Sequence, residues 1–285
     1  MDDSVTYMNR EYKHSSLNLV QKSQIIFTSL SKRNFYLRSH ISQFVLALEH
    51  TPINPFMNVD YNLSGLVDKD LIRTANNTMI TRCDEVWVFG EVSDGVLVEI
   101  YIARRNNKPV RYFEPSLDGS DFREISQEAV RLEDVSPWMW EWTLAGKSLE
   151  RWHPRLRFNK TYPLVYPAYS KRNFYLQTHI SQFCLEGRSV PLNPFMLFRY
   201  FLGDSVSRES VYRANNNIVR ICDEVWVFGE ISDGVLAEIK LKREQGHPVH
   251  YFKIGTGNPI TFRASSGKTM AFEEPELEDF RYLLT

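Results

Sequence analysis

The chain has 285 residues, of which 43% are hydrophobic and 24% are charged, and its formal net charge is −1. This is the composition of an ordinary water-soluble protein with room for one large domain or two small ones. Neither half is strongly basic, which argues against binding to long nucleic acid, and no apolar run reaches the roughly 18 residues of a membrane span.

The polar N-terminus lacks the apolar core of a signal peptide. The cysteines, Cys83, Cys184 and Cys222, are too few and too scattered for a disulfide framework or a zinc site. We therefore expect a cytoplasmic protein without a bound metal, and we expect the cysteines to be small buried hydrophobes. No motif implies a cofactor.

An internal repeat organises the chain. Residues 31–37 recur as 170–176, at an offset of 139. The same offset maps residues 83–91 onto 222–230, and the register holds without a gap from about 25–113 to 164–252. A period this long indicates a duplicated domain rather than a solenoid unit.

Hydrophobic periodicity predicts alternating strands and helices in each copy. In chain order, the first copy has strand 25–27, helix 35–48, a short strand ending at 52–55, helix 69–82, strand 85–90, helix 95–105 and strand 110–113. The alternation predicts an α/β fold, a tandem duplication of a Rossmann-like (flavodoxin-like) open parallel sheet. Such sheets bind ligands at the carboxyl ends of their strands.

The repeat also predicts where the domains begin and end. They are an N-terminal arm (1–20), a first domain (21–115), a Trp-rich helical linker (116–160), a second domain (161–254) and a C-terminal tail (255–285). In the linker, Pro137 opens a helix on which Trp138 and Trp142 share a face. Packing of these tryptophans onto the domains is favoured over a base-stacking platform. Whether the tail is a lid or an arm stays open.

Both copies read Gly-Glu-(Val/Ile)-Ser-Asp-Gly-Val-Leu-x-Glu after the third strand. A Ser-Asp-Gly turn before a helix can bind a phosphate, and simple helix capping is an equally good interpretation. The turn residues are Ser93, Asp94 and Gly95 in copy one, and Ser232, Asp233 and Gly234 in copy two.

The glutamates of this motif, Glu99 and Glu238, fall on apolar helix faces one turn in from the ligand edge. A carboxylate there is costly unless it has a role, so we favour function over a surface ion pair. After the first strand, copy two has Tyr166, Ser170 and Arg172, whose hydroxyl and guanidinium groups suit a phosphate. A solvated basic loop is the better interpretation of that loop alone. Copy one keeps the serine and arginine as Ser31 and Arg33 but has Phe27 for the tyrosine.

These motifs carry a resemblance. Ser-x-Gly-x-x-x-Glu in both copies, with Tyr-x-x-x-Ser-x-Arg in copy two, resembles the nucleoside 2-deoxyribosyltransferase superfamily, which includes the 2′-deoxynucleoside 5′-phosphate N-hydrolases. The resemblance implies that the glutamate attacks the anomeric carbon, that the tyrosine orients it, and that the serines and arginine hold a 5′-phosphate. Where the family has an acid that assists the leaving base, this chain has Asn76 and Asn215, which cannot be general acids.

Copy two is the better catalytic candidate, because residues 197–202 are apolar where residues 58–64 of copy one are polar. In this surface Phe198 would cover a flat base, and Asn193 is a further expected substrate-binding residue. The primary hypothesis is N-glycosidic cleavage or deoxyribosyl transfer on a small nucleotide or nucleoside. A nucleotide-binding sensor or defence-related protein with degenerate sites is the alternative, and an NAD glycohydrolase a weaker one. Superfamily sites are commonly completed by a neighbouring subunit, so we expect an intramolecular pseudo-dimer, possibly also a homodimer.

Overall fold

The structure, a computed structural model, describes residues 11–19, 21–59, 61–157 and 160–285. It contains two similar α/β units, each a mostly parallel five-stranded sheet flanked by helices. The predicted fold class and the internal duplication are therefore confirmed.

The first unit alternates strands and helices from β1 to β5. Its elements are β1 Ile25–Leu30, α1 Arg38–Ala47, β2 Thr51–Ile53, α2 Pro55–Asn58, α3 Tyr61–Leu66, α4 Lys69–Arg82, β3 Glu85–Phe89, α5 Asp94–Arg105, β4 Val110–Pro115 and β5 Phe122–Ile125. Helix α6, Pro137–Leu144, begins at the predicted proline and lies between the two units in the order of the chain.

The second unit repeats this order. Its elements are β6 Leu164–Tyr169, α7 Gln177–Glu186, β7 Val190–Pro191, α8 Pro194–Leu197, α9 Tyr200–Ser205, α10 Arg208–Ile221, β8 Glu224–Phe228, α11 Asp233–Glu244, β9 Val249–Gly255 and β10 Thr261–Ser265. Short 3-10 helices accompany both units, at Ser15–Asn18, Lys32–Leu37, Gln127–Ala129, Pro154–Arg157, Lys171–Leu176, Gly267–Thr269 and Pro275–Leu284.

The two sheets have the same strand order, β2-β1-β3-β4-β5 and β7-β6-β8-β9-β10. The first four strands of each run parallel and the fifth is antiparallel. The order reverses direction beside β1 and β6, so this is a doubly wound sheet whose carboxyl edge can hold a ligand.

The fifth strand lies in the segments that the sequence assigned to the linker and the tail. The predicted boundaries at residues 115 and 254 leave it out, and the duplication extends beyond them. Both β5 and β10 are short edge strands in which exposed residues are interspersed with less exposed ones, so neither carries the continuous apolar signal of a buried strand. Cross-strand ion pairs, such as Arg111 with Glu124 at 2.6 Å, hold β5 to β4.

The core explains why β3 and β8 were recognisable from sequence. Val86 to Phe89 are almost completely buried, and the Trp87 indole N–H donates to Glu85 at 2.8 Å. Trp226 repeats this bond with Glu224 at 2.7 Å. All three cysteines are buried free thiols, as predicted.

The units pack directly against each other. The Asn58 side chain donates to the Pro191 carbonyl at 2.7 Å and accepts the backbone N–H of Asn193 at 3.1 Å, wholly within the buried interior. At the surface Arg82 pairs with Asp223 at 2.7 Å. The main hydrophobic core is continuous through both units. Among the described helices, none is long and apolar enough to cross a membrane.

Candidate active site

The second unit positions its glutamate through a sharp turn after β8. Gly229 has a φ of 76°, in the left-handed region that favours glycine, and the chain then enters α11 through Ser232. The Ser232 hydroxyl caps α11 by accepting the Val235 N–H. Glu238 therefore lies one turn into a twelve-residue helix at the carboxyl edge of the sheet.

We call the group Tyr166, Asn215, Gly234 and Glu238 site two. The Tyr166 hydroxyl donates to Glu238 Oε1 at 2.5 Å and lies 2.8 Å from Asn215 Oδ1, and the Asn215 amide donates to the same Oε1 at 3.1 Å. The other carboxylate oxygen, Oε2, has no hydrogen-bond partner among the residues that the structure describes. Glu238 retains partial solvent exposure. One oxygen is therefore anchored and the other is available.

Burial shifts the pKa values in site two. It raises the pKa of Glu238 to about 7, and the hydrogen bonds from Tyr166 and Asn215 oppose the increase. The pKa of Tyr166 is raised well above its usual value, first by burial and then by the neighbouring charge of Glu238. Near neutral pH, Glu238 therefore exchanges between its protonated and its ionised form, while Tyr166 keeps its proton.

The equivalent group in the first unit, Ser29, Asn76, Gly95 and Glu99 with Arg155, is site one. Here both carboxylate oxygens are engaged. Ser29 donates to Oε2 of Glu99, and Arg155 lies 3.7 Å from Oε1. Burial raises the pKa of Glu99, and Arg155 and Ser29 oppose the shift. The Asn76 Oδ1 is buried with no hydrogen-bond partner in the described part of the chain.

The space beside the glycine that lies one turn before each glutamate is also filled in site one and open in site two. A Cβ placed on Gly95 would lie 2.9 Å from the Arg155 guanidinium, whereas one on Gly234 would meet nothing within 4 Å. Arg155 thus fills the space beside Gly95 in site one. The corresponding space beside Gly234 in site two is open.

Each site is bordered by a segment that precedes the first strand of the other unit. We call residues 11–19 the first arm and 153–157 the second arm. His153 contacts Asp94 of unit one at 2.7 Å, and His14 contacts Asp233 of unit two at 3.6 Å. The histidines are 139 residues apart, which is the repeat offset.

Two asparagines anchor the exchanged arms. Asn77 donates to the Arg155 carbonyl at 3.3 Å, and Asn216 donates to the Ser16 carbonyl at 2.7 Å. In the first arm, the Tyr12 hydroxyl donates to Asp233 Oδ1 at 2.7 Å, and its ring packs on Phe280. The arms carry a sequence signal for this exchange, because Glu11, His14 and Leu17 recur at the repeat offset as Glu150, His153 and Leu156.

The loops predicted to hold a phosphate already face a carboxylate. Ser31 donates to Glu133, and the Arg33 Nε is 2.9 Å from the same side chain. In copy two, the Arg172 Nε is 3.7 Å from Glu273, whose side chain is only 7% exposed. The prediction from residues 170 and 172 missed this acid because it lies beyond the recognisable repeat, in the segment after β10.

Several other predicted residues have structural contacts. Asn193 caps α8 and bonds Tyr169, Gln177 and Ser181 from a fully buried position. Phe198 belongs to the hydrophobic core, with 8% exposure. The Ser93 side chain makes no capping bond. Ser170 is buried and accepts the Arg172 N–H, as Ser31 accepts that of Arg33.

The prediction that Trp138 and Trp142 both pack onto the domains is half right. Trp142 packs against the core, as does Trp140. Trp138 is 41% exposed, and its ring centroid lies 5.9 Å from that of Trp152, which follows α6 and is 58% exposed. Within the described residues, no group of three or more His, Cys, Asp or Glu could hold a metal ion.

Residues 27–113 and 165–252 each match a family described as a domain of unknown function, DUF7768. The chain belongs to this family. The two DUF7768 segments run from β1 to β4 and from β6 to β9, so they contain both glutamates but neither fifth strand and neither arm. No curated protein matches the chain.

Proposed function

We propose that the protein cleaves the N-glycosidic bond of a small nucleoside or nucleotide in site two, with Glu238 as the nucleophile. The observation that carries this proposal is that the two oxygens of the Glu238 carboxylate have different surroundings. Oε1 is held by Tyr166 and Asn215, and Oε2 has no partner among the described residues. A nucleophile needs this combination of fixed orientation and one free oxygen.

The chemistry follows from the protonation state of Glu238. As the carboxylate, Oε2 attacks the anomeric carbon and forms a glycosyl ester while the bond to the base breaks. Water, or a second base, then displaces the ester and regenerates the carboxylate. The motifs that resemble the deoxyribosyltransferase superfamily support this assignment independently of the contacts. Site one, closed by Arg155, is proposed to be structural.

The test is a release assay. The 285-residue chain is incubated with a panel of nucleosides, nucleoside monophosphates and NAD, and free base is separated by chromatography. We expect release from at least one member of the panel. Glu238→Gln should reduce the rate by about 10³-fold or more, since the nucleophile is lost. The matched variant Glu99→Gln should retain most activity, and equal loss in both variants would refute the ranking of the sites.

Binding without turnover is the second candidate, and Asn215 is the observation that favours it. Its amide carries no titratable proton, so site two lacks an acid where the resembled family has one. In that case site two would act as a nucleotide or nucleoside sensor. Calorimetric binding of a panel member that the protein leaves intact, lost in the Glu238→Gln variant, would support this function over catalysis.

A further inference from the structure

The groups around Glu238 limit which bases can leave. Cleaving a neutral purine or pyrimidine nucleoside requires a proton on the departing nitrogen, and general acids contribute about 10²–10⁴-fold to such steps. Of the two side chains that hydrogen-bond to Glu238 in the described part of the chain, Asn215 carries no titratable proton. Tyr166 directs its only O–H to Glu238 itself or to Asn215. Neither of these contacts supplies an acid for the base.

The arm residues that border site two do not supply one either. Tyr12 donates its proton to Asp233, with which it forms a 2.7 Å hydrogen bond, so Asp233 acts there as an acceptor. His14 Nδ1 accepts the backbone N–H of Ser16 at 3.2 Å. Its Nε2 faces Asp233 at 3.6 Å. In the described part of the first arm, Tyr12 and His14 therefore contact Asp233 and Ser16 and do not hydrogen-bond to Glu238.

A second restriction concerns the 5′ end of the sugar. Arg172 is the cation expected to hold a phosphate, and it faces the nearly buried carboxylate of Glu273. A phosphate at Arg172 would approach that carboxylate at short range, where charges of the same sign repel strongly. The loop therefore suits a neutral hydroxyl better than a phosphate.

Building on the function proposed above, we propose that site two takes unphosphorylated nucleosides whose base is already cationic at the glycosidic linkage, the chemistry of N-ribosylpyridinium and N7-alkylated purine nucleosides. Glu238 Oε2 bonds to the anomeric carbon as the C–N bond breaks. The electron pair of that bond neutralises the base cation, so the base departs without a proton. Water then attacks the glycosyl ester, releases a proton to solvent and restores the Glu238 carboxylate.

Guanosine and 7-methylguanosine test the leaving-group requirement, because a single methyl group converts a neutral base into a cationic one. We expect a kcat/KM for 7-methylguanosine about 10²-fold or more above that for guanosine, the size of the missing acid contribution. Comparable values for the two nucleosides would overturn the inference and leave the glycosidase function intact. Release from neither of them, nor from nicotinamide riboside or NAD, would overturn both.

Asn215→Asp adds the missing acid. The new carboxyl would adjoin Glu238, and two carboxylates in contact raise the pKa of one of them, so one retains a proton near neutral pH. We expect the preference for 7-methylguanosine to shrink about tenfold or more, through faster cleavage of guanosine. The matched variant Asn76→Asp in site one should leave the preference unchanged. An unchanged preference in Asn215→Asp, with a thermal transition like that of the parent protein, would contradict the inference.

Nicotinamide riboside and its 5′-phosphate test the second restriction with the same leaving base. The unphosphorylated nucleoside should have the higher kcat/KM. Glu273→Gln removes the opposing carboxylate. The kcat/KM of the phosphate ester relative to that of the nucleoside should therefore increase about tenfold, the effect of a charge repulsion that would shift a pKa by about one unit. Preference of the parent protein for the phosphate ester would contradict this part of the inference.

Discussion

Glu238 and Glu99 occupy the same place in the repeat, and their neighbours give them different chemistry. Glu99 is neutralised by Arg155 and bonded by Ser29, so both of its oxygens are occupied. Glu238 faces two neutral donors that hold only Oε1. The difference originates in substitutions between the copies, with Tyr166 standing where the first copy has Phe27.

The pH dependence of activity should report on Glu238. The carboxyl must be ionised to attack, so kcat/KM should rise with pH through a midpoint near 7, the pKa that burial gives it. Tyr166→Phe removes a hydrogen bond that favours the charged form, and should move this midpoint to higher pH. A pH–rate profile of both proteins measures the two midpoints. A flat profile between pH 5 and 9 would contradict the assignment.

The free energy of unfolding should depend on the same ionisation of Glu238, and it should fall over the pH range in which activity rises. The pKa of Glu238 is raised in the folded state, so the folded protein binds this proton more tightly than the unfolded chain. Ionisation therefore lowers the free energy of unfolding as the pH rises from about 4.5 to 7, by about 3 kcal/mol at pH 8. Glu238→Gln escapes that cost. Denaturant titrations should find the variant similar to the parent protein at pH 4 and more stable at pH 8; equal stability at both would contradict the shift.

At the scale of elements, long periodic segments were predictable and the short contacts between units were not. The helix predicted over residues 69–82 is α4, because its apolar face repeats at the helical period and Asp68 caps it. Strand β3 was equally visible as a buried β-branched and aromatic run. The fifth strands were not predicted, because they are short and partly exposed. Glu133 and Glu273 were not predicted either, because their partners, Ser31, Arg33 and Arg172, are distant in sequence.

In the candidate site, the residues within the repeat were predictable from the sequence, and the residues contributed by the arms were not. Glu238 could be placed at the sheet edge from its motif, and the resemblance to the deoxyribosyltransferase superfamily implied that Tyr166 and Asn215 lie beside it. The structure brings the three side chains into contact. Arg155 and Tyr12 could not be placed, because they come from arms that cross to the other unit. Their positions depend on how the units pack, and no local pattern encodes that.

Asn216 and Asn77 allow the exchanged arms to be tested by a crossed experiment. Asn216→Ala removes the bonds to the Ser16 and Leu19 carbonyls and should cost about 1–2 kcal/mol. Hydrogen exchange should then increase in residues 11–19 and stay constant in 153–157. Asn77→Ala should give the reverse pattern. Increased exchange in the same arm for both variants would contradict the exchange.

At the scale of the whole molecule, the continuous core predicts that the two units unfold together. Asn58→Ala should destabilise both, because it leaves the Pro191 carbonyl and the Asn193 N–H buried without a partner. We expect a loss of about 2–4 kcal/mol in a single calorimetric transition. Lys13→Ala, at an exposed ion pair, is the control and should change little. Two separate transitions, only one of them shifted, would contradict the coupling.

The central claim is that Glu238 forms a bond to the sugar. A 2-fluoro analogue of an N-ribosylpyridinium nucleoside slows both steps by destabilising the positively charged transition state, and its cationic base still leaves, so a glycosyl ester should accumulate. Intact-protein mass spectrometry followed by peptide mapping should find one added sugar, located on Glu238, in the parent protein and in Glu99→Gln. The Glu238→Gln variant should carry none. Base release without an adduct on Glu238, or an adduct that persists in Glu238→Gln, would contradict the account.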